Sequence, residues 1–386
     1  MKKQKIVLGN STLATYPEGG GHWSVFLQYL LGLQSLGHQV ILMECFISLG
    51  DKKADEHRID FFFKRLNEYG FKDKAVIISF PQESMSQDIE TANCYGRSLS
   101  AIKDLISQAD LLWNFCASIR QPLLGLFDHR VFIDLDPGHL QVAALNCSFD
   151  LNDHHSYLTV GSKMEDEDCE VPLLNIGWKS FRPFVFLPLW PVAAKQNAAK
   201  HFTSITHWNW DELELNGRRL SLSKREAYLR YIDLPKNVGK PFELATYFDT
   251  NDKTGDRELL KANGWNIVNP WEIASSPQLY QKYISGSMGE ILCPKPIFRE
   301  LKTGWFSDRS VCYLASGRPV LAEDTGFSDH LPSGNGLFRF SNMEGAVEAV
   351  KEICNNYKHH MKTARQLAEE IFNSDVCLNK MLESCI

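Results

Sequence analysis

Short uninterrupted apolar runs alternate along this chain with longer segments that are apolar at helical spacing, the pattern of buried strands joined by amphipathic helices. Lys5–Leu8 predicts a first strand and Asn10–Gly21 a loop closing on three glycines. His22–Leu36 then reads as a helix with Phe26, Leu30 and Leu33 on one face, stopped by Gly37 before a second strand over Gln39–Glu44. Strand, glycine loop, helix and strand make a βαβ unit, which implies a parallel sheet with right-handed crossovers. Further strands are predicted at Ala75–Ser79, Leu111–Asn114 and Val131–Leu135, with a helix over Gly96–Gln108.

The pattern changes over Gly177–Ala194, where Pro183, Pro188 and Pro191 stand among aromatic residues. Such a stretch is no regular helix and suits a connection between domains. Trp178, Phe181, Phe184, Phe186 and Trp190 are expected to pack that connection. A second α/β series follows, with strands at Phe202–Thr206, Phe242–Tyr247, Trp265–Val268, Gly289–Cys293 and Pro319–Ala322. Ser341 and Glu344 have the spacing of a capping box opening a helix through Ile353, and one or two helices follow from Lys358. The fold class is α/β with two Rossmann-like domains, residues 1–185 and 186–357.

Composition adds exclusions. At 386 residues the chain is long for one core, while 44% hydrophobic and 23% charged residues describe an ordinary globular protein. A net charge of −6 gives no reason to expect nucleic acid as a partner. The ten cysteines form no CxxC pair or zinc-spaced quartet, so reduced thiols and a cytoplasmic location are expected. No apolar run reaches transmembrane length, and MKKQKIVLGNST reads as a first strand and not an export signal.

Three groups of residues can carry chemistry. In YPEGGGHWSVF, the backbone amides of Gly19, Gly20 and Gly21 at a helix N-terminus suit an anion, although a tight turn without ligand explains them equally. Dinucleotide binding is a rival, with Glu44 placed as a ribose ligand, but Gly19–Ser24 lacks the third glycine of that fingerprint. His22 is suited to general-base work, the alternative being a histidine bonded to the helix end. Asp136 in FIDLDPGHLQ is the residue to orient such a base, or else a turn-forming aspartate. With Asp134 it also reads as a metal-binding DxD, which two Rossmann-like domains argue against. The third group is SDRSVCYLASGRPVLAEDTG, where Ser307, Asp308, Arg309 and Ser310 open a helix. Arg309 offers a forked donor pair to a diphosphate, and Asp324, Thr325 and Gly326 end the following strand, where sugar hydroxyls need acceptors. Glu290, Lys295 and Lys302 flank this loop, and Thr206 and Trp208 follow the second domain's first strand as cleft-lining candidates.

The segments PEGGGHWSVFLQYLLGLQSLGHQVILME and SDRSVCYLASGRPVLAEDTG resemble the two halves of GT-B nucleotide-sugar glycosyltransferases, the second being similar to the donor region of the family 1 and family 4 types. The resemblance covers nearly the whole chain. It implies two Rossmann-like domains across a cleft, with residues 358–386 returning to the first. It also implies a nucleotide-sugar donor, a small-molecule or glycan acceptor, no metal or other cofactor, and His22 as base with Asp136 behind it. Many retaining members carry two glutamates eight positions apart, where this chain has Gly304 and Cys312, so inversion is expected. A sugar-nucleotide epimerase and a catalytically inactive GT-B binding protein are the alternatives.

Overall fold

In a computed structural model, which describes residues 2–82, 86–146, 151–193, 201–248 and 253–385, the apolar runs build two large sheets. The first contains β1 (Lys5–Asn10), β2 (Gln39–Ile47), β3 (Ala75–Phe80), β4 (Asn93–Tyr95), β5 (Leu111–Phe115), β6 (Arg130–Asp134), β7 (Ser156–Thr159) and β8 (Trp178–Ser180). Their order is β4-β3-β2-β1-β5-β6-β7-β8, with only β4 antiparallel to its neighbour. Alternate residues enter opposite cores. Ile6, Leu8, Trp113 and Phe115 face one side, and Val7, Met43 and Leu112 the other, as a sheet covered on both faces requires.

The second sheet contains β9 (Phe202–Ile205), and the chain then makes an antiparallel hairpin, β10 (Glu212–Leu215) and β11 (Arg218–Ser221). The sheet continues with β12 (Phe242–Ala245), β13 (Trp265–Val268), β14 (Gly289–Leu292), β15 (Val320–Glu323) and β16 (Leu337–Phe340), in the parallel order β13-β12-β9-β14-β15-β16. In each sheet the strand order reverses beside the first strand, between β1 and β5 and between β9 and β14. Ligands of open α/β sheets bind at the carboxyl ends of strands flanking such a reversal.

Several predicted elements differ in extent. The helix expected over Gly96–Gln108 spans Leu99–Ser107, because Gly96 turns the chain out of β4 at φ +85° and Ser98 caps the helix at the Ala101 amide. The cap at Ser341 moves to Asn342, whose side chain accepts from the Gly345 amide at 2.8 Å. Trp178 belongs to the edge strand β8 and not to a linker, and Ala194 lies outside the described residues.

One apolar core runs from the first domain into the second, taking in Leu220 and Leu222 from the hairpin region and one side of the Asp308–Ala315 helix. The Tyr357–Glu370 helix packs on Asp308–Ala315, where Arg365 bonds the carbonyls of Ala315 and Trp190. The Ser374–Ser384 helix packs on the Gly20–Ser35 helix of the first domain. The acidic run Glu165–Glu170, which reads as a solvated loop in sequence, ties the domains together. Lys163, its side chain 5% exposed, bonds Asp168 and, across the boundary, Asp329, while Asp166 meets His330 at 2.9 Å and Glu170 meets Arg218 and Lys302.

Gly20 sets how closely the domains approach at the cleft. Its amide donates to the Ala274 carbonyl at 3.0 Å, and a Cβ there would collide with that oxygen and stand 2.6 Å from the Ser276 carbonyl. Both obstacles are backbone. Gly20→Ala is therefore expected to destabilise the protein by about 1–3 kcal/mol, seen as a lower urea midpoint with an unchanged slope. A midpoint equal to wild type would show that the contact is not needed for the fold.

Candidate functional site

The carboxyl ends of both sheets face a common cleft. From the first domain, β1 leads through the glycine loop to the Gly20–Ser35 helix and His22, and β6 leads to Asp136. From the second, β9 ends at Ile205 before His207, β14 leads through Cys293 to Lys295, and Ser307 caps the Asp308–Ala315 helix at the Arg309 amide. The two strand-order reversals thus point at each other.

Arg309 is fixed from below. Its Nε donates to Glu290 Oε1 at 2.6 Å and its Nη1 to the Ile205 carbonyl at 2.8 Å, so the forked donor pair expected for a ligand is already engaged. Glu290 is fully buried. Burial works against the guanidinium charge, but the Glu290 carboxylate, together with Tyr280, Tyr228 and Tyr313, outweighs it and raises the arginine's pKa. Among the described residues, Arg309 Nη2, Ser310 Oγ and Glu290 Oε2 are buried without a hydrogen-bond partner. Unpartnered buried polar atoms grouped this way mark a place where a polar ligand completes the network.

Lys295 crosses the cleft and meets Asp136 Oδ1 at 2.8 Å, while His139 stands 3.9 Å from the other oxygen. Burial acts to raise the Asp136 pKa, but Lys295 and His139 override it and hold the carboxyl well below its usual range. Asp134 is no second metal ligand. It is fully buried, accepts from Gln141, Thr159 and the Asp136 amide, and shapes the loop that presents Asp136. Among the described residues no group of three or more His, Cys, Asp or Glu side chains could hold a metal ion.

His22 is open to the cleft but enclosed by both domains. Burial lowers its pKa, partly opposed by the carboxylates of Asp308 and Asp136, which leaves a neutral imidazole at pH 7. Burial likewise raises the Asp308 pKa. The glycine loop that positions His22 serves interdomain contact, since the Gly20 amide is engaged by Ala274, Gly19 donates to Tyr16, and Gly21 lies against Tyr280. Glu44, the residue of the dinucleotide reading, is fully buried and accepts from Asn10 Nδ2 and the Ala14 amide, so it supports the loop from behind and is closed to a ribose.

Other predicted site residues are held elsewhere. Trp208 faces the second domain's core beside Tyr228 and Phe248 and donates to Asp256 at 3.0 Å, so it does not line the cleft. Thr206 is buried with its hydroxyl on the His207 carbonyl. The residue between them, His207, projects into the cleft, a one-residue shift of the kind that reverses side-chain direction along an extended chain. Lys302 is exposed and paired with Glu170. Asp324 caps the turn through the Gly326 amide and the Ser328 hydroxyl, and Thr325 donates to the Trp305 carbonyl. These groups close a turn, which leaves neither side chain free as the sugar acceptor expected.

Sequence reasoning missed Lys224, at the start of the Lys224–Leu229 helix. Burial, followed by the neighbouring Arg309 and Lys295, pushes its pKa down to about 7. A lone lysine behind a hairpin has no motif to announce it. Two other positions explain a missing signature. Gly304 has φ +68°, and a Cβ there would strike Ser162 Oγ and the Lys163 backbone, while Cys312 is buried against Gln28 of the first domain. A side chain of any kind is excluded at 304, and at 312 the chain carries a small buried thiol in place of an acid.

No family model matches the sequence, and no curated protein matches it. The fold does have known counterparts. The two facing domains are the GT-B fold, shared over 99% of both chains with the Anabaena HepE protein solved with UDP and glucose (TM-score 0.60, 11% identity). An alpha-glucosyltransferase solved with UDP-glucose and DNA containing an abasic site aligns over 100% of both chains (TM-score 0.58, 12% identity). The pneumococcal O-GlcNAc transferase GtfA, solved with UDP and GlcNAc, aligns over 100% of this chain and 99% of its own (TM-score 0.56, 9% identity).

Two titrations check the electrostatics. Asp136→Asn removes one carboxylate that opposes burial at His22, so the imidazole pKa, followed by NMR, should fall further below 6.5; no movement would uncouple the pair. Glu44 has its pKa raised from 4.5 to about 8 by burial, so the folded state keeps a proton that the unfolded state has lost. Its contribution is complete below pH 4.5 and disappears as pH rises towards 8. Glu44→Gln should flatten the fall in stability over that window, measured by urea unfolding.

Proposed function

We propose that the protein transfers a sugar from a nucleotide-diphosphate donor to an acceptor hydroxyl, without a metal ion and with inversion at the anomeric carbon. The reading is carried by Arg309, Lys224 and Lys295, gathered around the N-terminus of the Asp308–Ala315 helix, with Arg309 Nη2 and Ser310 Oγ unpartnered there. Such a group is complementary to a diphosphate, and a bound anion would favour the charged form of Lys224, which Arg309 and Lys295 disfavour. The fold counterparts solved with UDP or UDP-glucose support the choice of donor.

In this reading neutral His22 accepts the proton of the acceptor hydroxyl as its oxygen attacks C1 of the sugar. The bond from C1 to the diphosphate oxygen breaks, and the diphosphate leaves with the electron pair. Charge developing on it is stabilised by Arg309, Lys224 and Lys295, the task a divalent cation performs elsewhere. Asp308 and Asp136 stabilise the imidazolium that forms. The absence of an acid at positions 304 and 312 favours inversion over retention. Closure around the reactants excludes water as a competing acceptor.

UDP should raise the melting temperature in the presence of EDTA, by the equivalent of roughly 2.7 kcal/mol at about 100 times its dissociation constant. Arg309→Ala leaves Glu290 buried and unpaired, at a cost of about 3–5 kcal/mol to the fold itself. Lys224→Met is the cleaner variant and should lose most of the shift. Because the bound diphosphate raises the Lys224 pKa, calorimetry in two buffers should detect proton uptake at pH 8 and none at pH 6. Absence of a shift with UDP and with the other nucleoside diphosphates sinks the donor assignment, and an epimer formed from the nucleotide sugar alone would favour the epimerase instead.

A further inference from the structure

A cavity of about 60 Å³ between the two domains is left unused by the donor reading. Its floor comes from the carboxyl ends of three strands of the first sheet, with Leu135 after β6, Val160 after β7 and Phe184 after β8. Val25 and Tyr29 of the Gly20–Ser35 helix form one wall, and Phe306 and Asp308 of the second domain form the other. The Tyr29 ring is held edge-on by Phe184 at 4.6 Å and by Phe115 at 4.9 Å, so that wall is fixed.

Most of the lining is buried, but Val25, Leu135 and Asp308 are half buried, so the cavity opens where those three meet. Each adjoins a residue of the candidate site. Leu135 precedes Asp136, Asp308 precedes Arg309, and Val25 lies one helical turn after His22. His22, Val25 and Tyr29 follow the three- and four-residue spacing that keeps side chains on one face of a helix. That face carries His22 at the cleft and the cavity wall about 4.5 Å farther along the axis.

The lining also says what enters. Gln28 borders the cavity, but its side chain is engaged by the Phe186 amide at 3.1 Å and by Cys312 Sγ at 3.7 Å. Water set against Val160, Phe184 and Phe306 would go short of the two to four polar partners that a buried water needs. Left empty, the space would forfeit dispersion contacts that close-packed interiors normally make. An alkyl group suits it. A cavity of about 150 Å³ takes benzene, roughly 25 Å³ per carbon, so this one takes about two or three carbons.

We propose that the cavity is the apolar subsite of the acceptor, an alcohol whose reacting hydroxyl lies at His22 and whose short alkyl group enters past Val25. This rests on the donor reading above. The acceptor oxygen bonds to C1 as its proton passes to His22, and the diphosphate leaves with the electron pair. The seated alkyl group selects which hydroxyl of the acceptor reacts.

The test uses the full chain, saturated with the nucleoside diphosphate that raises its melting temperature, and NMR titration with ethanol, 1-propanol and 2-methylpropanol. Glycerol is the polar control and cyclohexylmethanol the oversized one. Affinity is expected to rise about four-fold with each added carbon and to be lost for both controls. Nuclear Overhauser effects should join the methyls of 2-methylpropanol to Val25 and its hydroxymethylene to the His22 imidazole. Val25→Phe fills the cavity and should remove this binding, with the nucleotide shift reporting that the variant is folded. If that variant does not fold, Val160→Ala enlarges the cavity from the opposite side and should admit cyclohexylmethanol. Absence of binding, affinity independent of alkyl length, insensitivity to these substitutions, or contacts to Val25 with none to His22 overturns the acceptor subsite alone. Absence of a thermal shift with every nucleoside diphosphate overturns the donor reading beneath it.

Discussion

The site depends on one buried ion pair. Glu290 leaves β14 with no access to water, and Arg309 starts the helix that lies over the same strand. Neither charge is tolerable alone in that position, so each fixes the other. The pair ties the sheet to the helix, and the bond from Arg309 to the Ile205 carbonyl ties both to β9. The remaining guanidinium nitrogen is thereby aimed from a rigid base. Lys224 and Lys295 reach the same space from other elements, which makes the cationic patch a product of the tertiary fold and not of any one segment.

The facing wall is built by a similar device with less charge. Buried Asp134 organises the loop that presents Asp136, and buried Glu44 organises the loop that ends at the helix carrying His22. Each acid is one step behind the residue that faces the cleft. Lys295 and Asp136 then join the walls, assisted away from the cleft by Lys163 with Asp329 and by Asp166 with His330. The first domain is thus positioned against the second by ion pairs on both sides of a shared apolar core.

Much of the architecture was legible because parallel strands buried on both faces leave uninterrupted apolar runs, as in AVIISF and LLWNF. The last two strands of the first sheet were lost, since SYLT and WKS are short and half polar. His22, Asp136 and Arg309 stood out because each follows a recognisable turn signal at the end of a strand. Lys224 did not, because its environment is supplied by residues distant in sequence. Trp208 and His207 show the limit from the other side: the strand's end was legible, but which of two adjacent side chains turns inward depends on the core. The DTG turn misled for a physical reason. An aspartate before glycine can accept ligand hydroxyls or cap its own turn, and here the amide of Gly326 is nearer.

The seating of Leu378 against Gly32 bears on how the molecule is made. The helix that carries His22 is covered by the Ser374–Ser384 helix, which buries Leu378, Met381 and Leu382, and a Cβ at Gly32 would press on Leu378. During synthesis the first sheet emerges early, yet this flank of its first helix stays uncovered until the whole second domain has left the ribosome. Domains made first ordinarily finish folding first. Here the nascent first domain waits with an apolar seam open, so the lifetime of that seam becomes part of the cost of returning the chain to where it began.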